Sequence, residues 1–157
     1  MKVGDNPNEM LLSTNGKLLY VCNANDNSVS VINLVTKKVI ETLVVALYPN
    51  SPSGSTTNGL AIDPLNKRLY VANADNNCLA VYDVSVTGSS KPMGFIPVGW
   101  FPTNVKFIEG KIWVTNGKGN TFYANPYGPR PVKNGEEVYL HQGDMNAPKE
   151  VQYIGSL

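Results

Sequence analysis

The sequence is short of charge, of cysteine and of histidine, and each shortage excludes something. Charged residues are 16% of the 157, and the net charge is +1. No basic stripe is available to neutralise phosphates, so no nucleic-acid partner is expected. One histidine, His141, and two cysteines, Cys22 and Cys78, supply neither a zinc ligand set nor a disulfide framework. No metal or other cofactor is therefore expected. No apolar run reaches the ~18–20 residues that cross a bilayer, so membrane insertion is not expected either. Lys2-Val3-Gly4-Asp5, after Met1, has no apolar secretory core, and these residues do not encode a compartment.

What is present points to β-structure. The 14 Gly and 11 Pro lie among many Asn and Ser, while Tyr, Val, Ile and Leu fall in regular clusters suited to a packed sheet. A five-residue stretch, hydrophobic-aromatic-Val-small-Asn, occurs as Leu19–Asn23, Leu69–Asn73 and Ile112–Asn116. Recurrence at roughly 40–50 residues marks a repeat architecture. Cys22 takes the slot of Ala72 and Thr115, which reads as a small buried residue, and no Cys22–Cys78 bridge is expected.

The repeats resolve into strands and turns. Residues 9–13 form a short strand stopped at Thr14-Asn15-Gly16, where Asn-Gly predicts a hairpin because both residues tolerate positive φ. The signature strand at 17–23 follows, then an alternating strand at 28–33 and a fourth at 39–45. The second unit repeats the order: 58–62, 68–73, 78–84 and 93–98. A third begins with 103–108, a turn at Glu109-Gly110 and 111–116, then departs into an irregular insertion over 117–150. A four-stranded unit cannot hide both faces of its sheet, and radial stacking of such units is the β-propeller solution. The expectation is an all-β propeller segment in one domain. Blade 1 spans about 8–46, blade 2 about 57–98 and a partial blade 3 about 102–157, not a closed ring on its own, since propellers typically have 4–8 blades. Exposed faces and unpaired edges are an association hazard. Further blades of a longer chain, an oligomer completing a ring, or an open stack would each cover them; a mid-unit end favours the first.

The Tyr-Val-x-Asn strand, its Asn/Asp turn and the following Ser28-Val29-Ser30-Val31-Ile32-Asn33 strand resemble the YVTN-repeat, YncE-like β-propellers of bacterial secreted and surface proteins. The match covers residues 1–116 in repeating form. Pro97–Thr103, Asn116–Gly119, Asn125-Pro126 with Gly128-Pro129, and Tyr153–Leu157 are similar to a subgroup that joins such a propeller to an alkaline-phosphatase-like phosphoesterase domain. The resemblance implies a periplasmic or exported parent whose metal-dependent hydrolysis belongs to that second domain, none of which is present here.

The candidate sites each have a plainer reading. Asn23, Asn73 and Asn116 form either a ring of amides or locks on the turns that follow, and repetition favours locks. Asn25-Asp26-Asn27 and Asp75-Asn76-Asn77 are oxygen-rich, yet lack the spaced acidic loop of a cation site. Gly117-Lys118-Gly119-Asn120 lacks the phosphate-loop pattern and its helix. The insertion is the better prospect, because long loops on rigid scaffolds carry function. The ligand-binding candidates are Trp100, Phe101, Lys118, Tyr123, Tyr127, His141 and Asp144; burial between blades competes for Trp100 and Phe101. No catalytic constellation is visible. The expected function is a non-catalytic scaffold or interaction module of a larger exported bacterial protein. Its expected partners are further blades, a partner domain or another copy. The alternative is an accessory portion of a phosphoesterase, shaping substrate access through 117–150.

Overall fold

Apolar–polar alternation between Asn-, Asp- and Gly-rich turns produces ten antiparallel strands in residues 1–118, the residues described by the computed structural model. The first sheet comprises β1 (Pro7–Leu12), β2 (Leu18–Asn23), β3 (Ser28–Asn33) and β4 (Lys38–Val44). The second comprises β5 (Thr57–Asp63), β6 (Arg68–Asn73), β7 (Cys78–Asp83) and β8 (Lys91–Pro97). A hairpin of β9 (Pro102–Ile108) and β10 (Lys111–Asn116) makes the third. Each sheet is a meander in chain order. The fold is all-β, an open propeller segment.

Local chemistry sets the strand limits. β1 starts two residues earlier than the sequence suggests because Pro7 pairs with Asn23 across a bulge. Corresponding bulges interrupt β5 between Thr57 and Gly59, and the β9–β10 ladder at Asn116. β8 starts at Lys91, with Pro92 opposite Tyr82; an outer strand tolerates a proline because one side of it has no ladder partner. The Asn15-Gly16 hairpin joins β1 to β2. Gly16 N–H donates to Ser13 O at 2.8 Å and Ser13 N–H to Leu18 O at 2.9 Å, and only Gly16 has positive φ, at 67°. The loop is thus wider than a two-residue turn, and Asn15 Oδ1 serves as an acceptor for Lys17 N–H at 3.1 Å. The two-residue turn with both φ positive occurs at Glu109 (49°) and Gly110 (77°).

The second sheet is covered on both faces. Leu60, Leu69, Val71, Ala80 and Tyr82 pack against Tyr20, Cys22, Val29, Val31 and Leu43 of the first sheet. The alternate residues Ala61, Tyr70, Ala72, Leu79 and Val81 meet Val105, Phe107, Ile112 and Val114 of the third. A period-two strand buried on both sides reads as a near-continuous apolar run, which accounts for the unbroken burial of β6 after Arg68. The outer strand β8 is exposed throughout.

Candidate functional site

At one end of the segment a single hydrogen-bond arrangement occurs three times. The residue before each first strand is held left-handed: Asn6 (φ 51°), Thr56 (49°) and Phe101 (60°). Such a φ is uncommon outside glycine and is an outlier for a β-branched or bulky side chain. The turn after each signature strand holds it in place. Ala24 N–H donates to Asn6 O at 3.1 Å, Ala74 N–H to Thr56 O at 3.2 Å and Gly117 N–H to Phe101 O at 2.8 Å. A second bond joins the next residue in each turn to the residue before the strained one: Asn25 to Asp5, Asp75 to Ser55 and Lys118 to Trp100. These bonds fix the end of each sheet at which Trp100, Phe101 and Lys118 lie.

The side chains in this repeated slot change character along the chain. Asn25 Nδ2 donates to Asp5 Oδ2 at 3.0 Å in the first sheet, and the Thr56 hydroxyl donates to Asp75 Oδ2 in the second. In the third, Lys118 Nζ lies 4.3 Å from the Phe101 ring centroid and 5.5 Å from that of Trp100. A cation over an exposed aromatic face contributes about 0.5–1 kcal/mol. The slot thus exchanges a polar clasp for an aromatic one and reverses the sign of its charge. Both aromatic rings are half-buried and Lys118 is exposed. Trp100, Phe101 and Lys118 are therefore brought together, whereas Tyr123, Tyr127, His141 and Asp144 lie outside the described residues.

In the oxygen-rich turns the last asparagine reaches to the segment that enters the next sheet, while the aspartates brace their own sheet. Asn27, at φ 49°, accepts Gly54 N–H at 3.0 Å and Ser55 N–H at 2.7 Å on Oδ1, and donates from Nδ2 to Pro52 O at 2.7 Å. Asn77, at φ 51°, accepts Phe101 N–H at 2.8 Å. Asp26 Oδ2 accepts Asp5 N–H at 2.6 Å. Among the described residues no group of three His, Cys, Asp or Glu is placed to hold a metal ion.

Asn23 and Asn73 are not locks on the turns that follow them. Both are fully buried. Asn23 Nδ2 donates to the Ser28 and Ser30 hydroxyls at 2.9 and 3.0 Å, while its Oδ1 accepts Gly4 N–H at 3.1 Å. Asn73 Nδ2 reaches back to Val45 O at 2.7 Å, tying the second sheet to the first. The turn that follows Asn23 is closed by backbone, Asp26 N–H to Asn23 O at 3.2 Å, which leaves the side chain free to face the core. Side-chain turn locks do exist, at Asn33, Asp63 and Asp83.

Both cysteines are buried free thiols. Burial pushes the Cys22 thiol well up, the Glu9 charge adds to this, and a Gly59 backbone hydrogen bond opposes it. Burial pushes Cys78 up to about 11, partly offset by its hydrogen bond with Asn73. A nucleophilic cysteine needs an accessible thiolate, and these are packing residues. One contact had no signal in the repeat. Ser90 donates its N–H (2.7 Å) and hydroxyl (2.8 Å) to the two carboxylate oxygens of Glu41, while Tyr82 Oη donates to Val44 O. Glu41 pairs with Val31, and the matching position opposite Val81 in the second sheet is Gly94, so comparing the units conceals this clasp.

The family model described as "Lactonase, 7-bladed beta-propeller" matches residues 1–120. The chain belongs to this lactonase propeller family. No curated protein sequence matches it. Among solved structures it is similar to the periplasmic gluconolactonase PpgL of Pseudomonas aeruginosa, at 20% identity and TM-score 0.65, covering 74% of this chain and 34% of that one. A candidate 6-phosphogluconolactonase from Bacteroides fragilis matches at 23% identity and TM-score 0.63, with 74% and 34% covered. Hydrazine synthase of Kuenenia stuttgartiensis matches at 23% and 0.58, with 74% and 32% covered. These likenesses show the fold, and this lactonase-family chain spans about a third of each neighbour. Among its described residues no helix is long and apolar enough to cross a membrane.

Proposed function

We propose that the chain is a non-catalytic propeller scaffold of the YVTN-repeat kind, contributing blades to a larger exported bacterial protein and presenting loop ends to a ligand or partner domain. The observation that carries this reading is the engagement of reactive groups in bracing the ends of their own sheets and in packing. Asp5, Asp26 and Asp75 accept hydrogen bonds within the repeated end, and both thiols are buried with raised pKa values. General acid–base or nucleophilic work needs such groups aimed at open space with matched pKa values. A periplasmic location is supported by the name of one structural neighbour. The ligand-facing feature is the Trp100–Phe101–Lys118 clasp, whose cation and two ring faces suit an anion carrying an apolar or sugar face.

A second reading, in which these blades belong to a lactone hydrolase, is favoured by the family match. The two readings separate in one experiment. The 157-residue protein is assayed with gluconolactone and with a phosphomonoester, each with and without added divalent cations. The scaffold reading expects no turnover above the uncatalysed rate. Lactone hydrolysis that scales with protein concentration would establish the second reading, and metal-dependent phosphate release would establish the phosphoesterase alternative drawn from the sequence.

A further inference from the structure

We infer that the end of the segment opposite the clasps is a peripheral docking surface for an anionic lipid bilayer. Val35, Leu65 and Val86 enter the headgroup layer there, and the lysines beside them hold lipid phosphates. One turn occurs twice at this end with the same chemistry. Asn33-Leu34-Val35-Thr36-Lys37-Lys38 closes the β3–β4 hairpin, and Asp63-Pro64-Leu65-Asn66-Lys67-Arg68 closes the β5–β6 hairpin. In each, the first side chain caps the turn. Asn33 Oδ1 accepts the N–H groups of Val35 and Thr36, both at 3.0 Å. Asp63 Oδ1 accepts those of Leu65 and Asn66 at 2.9 and 3.1 Å. The aliphatic residue is thereby held at the tip, 78% exposed at Val35 and 88% at Leu65. The second sheet is covered on both faces, so the exposure of Leu65 belongs to the turn itself. Asp83 Oδ1 caps the β7–β8 loop in the same way, accepting Ser85 N–H at 2.8 Å, and Val86 after it is 56% exposed.

The cation in the repeated turn occupies a costly place. Lys37 and Lys67 are left-handed, at φ 54° and 53°. Glycine adopts that conformation freely, and it does so in the β1–β2 and β9–β10 hairpins, at Gly16 and Gly110. A strained lysine kept where glycine would serve points to a use for its charge. Lys17, Lys37, Lys38, Lys67, Arg68 and Lys91 are all exposed at this end. Of the acids nearby, Asp63, Asp83 and Glu41 are engaged by turn groups and by Ser90, and Glu109 stands exposed in the turn with Lys111. At the clasp end the balance reverses, with Asp5, Asp26 and Asp75 exposed beside Lys118. Folding thus gathers cations that the sequence spreads over five turns. Lysines near a bilayer are drawn to anionic headgroups, and exposed aliphatic tips gain by leaving water at the acyl boundary. A nucleic acid would engage the cations and leave the aliphatic tips in water. The pairing of the two on the same capped turns therefore favours lipid.

The contact needs no spanning segment, and it stands whether the blades serve a scaffold or an enzyme. The test is co-sedimentation of the 157-residue protein with vesicles of mixed phosphatidylglycerol and phosphatidylcholine, and with phosphatidylcholine alone. Wild type is expected to bind the mixed vesicles, to ignore the neutral ones and to bind less as salt rises. Lys37→Asn with Lys67→Asn removes two charges and keeps the left-handed turns, which asparagine tolerates. This pair is expected to weaken binding about 25-fold, about fivefold per cation. Val35→Ser with Leu65→Ser keeps every charge and is expected to weaken it about tenfold. Urea midpoints check that both pairs stay folded. Failure of wild type to bind the mixed vesicles, or equal binding to both kinds, would overturn the inference. So would a serine pair that binds as wild type does. A DNA duplex is the control for a purely electrostatic partner. Duplex binding tighter than vesicle binding, lost in the asparagine pair and kept in the serine pair, would put nucleic acid in place of the bilayer and overturn the inference as well.

Discussion

Asn77 illustrates how much a single side chain does in this fold. It turns the chain at φ 51° and also accepts the N–H of Phe101, so it shapes one sheet while positioning the entry to the next. Asparagine tolerates the left-handed region better than most residues, and its amide oxygen accepts at the distance required. Asn77→Ala is expected to cost about 2–3 kcal/mol, from a left-handed penalty of about 1–2 and a lost hydrogen bond of about 1. Asn77→Gly retains the conformation and is expected to cost about 1 kcal/mol, the bond alone. Urea midpoints at unchanged m-value measure both. Equal losses for the two variants would show that backbone geometry contributes nothing. The three-residue turns were plain in the sequence. That their asparagines bond to the following sheet was not, because their partners, Gly54, Ser55 and Phe101, lie more than a strand away along the chain.

Among the elements, the end opposite the clasps holds a charge pattern in the second sheet. Arg68 of β6 is opposite Asp63 of β5 and Asp83 of β7. Asp63 is buried, which alone would raise its pKa. Hydrogen bonds from the Asn66 side chain and from the Asn66 and Leu65 N–H groups, with the Arg68 charge, outweigh this and bring it below the ordinary value. Asp83 is also lowered, chiefly by its hydrogen bonds with Ser85, against some desolvation and with help from Lys91 and Arg68. Both folded-state values lie below the unfolded value of about 3.9. The stability they add is present above that pH and is lost as pH falls through the folded values. Urea midpoints taken from neutral pH down to about pH 3 are expected to fall on the acid side, and to fall less steeply in Asp63→Asn and Asp83→Asn. Unchanged acid limbs in both variants would contradict the assignment. The strands themselves were legible, since period-two patterning and turn residues mark them directly. Their bulges were not, because a bulge is a relation between two strands.

For the molecule as a whole, the number of covered faces ranks the sheets. The second sheet packs on both sides, against the first and the third, while the third carries a half-exposed Trp113 on its outward face. The first and second sheets are also joined by the Glu41–Ser90 and Tyr82–Val44 bonds. Local opening free energy follows buried contacts. Native-state hydrogen exchange at dilute protein concentration is therefore expected to show β9 and β10 opening at lower free energy than β5, β6 and β7. Uniform protection across all three sheets would mean that the segment opens as one unit.

The sequence by itself determined the repeat, the all-β class and the stacking of four-stranded units, because turn chemistry and alternation are local and recur in register. It also set Trp100, Phe101 and Lys118 among the candidate ligand-binding residues. Only the tertiary structure decided what the repeated asparagines do, which face of each strand meets which neighbour, and that Lys118 sits over the two rings where the other sheets keep a polar clasp. Those outcomes depend on contacts between sheets, made by residues far apart in the chain, and no local pattern specifies which distant side chain will arrive.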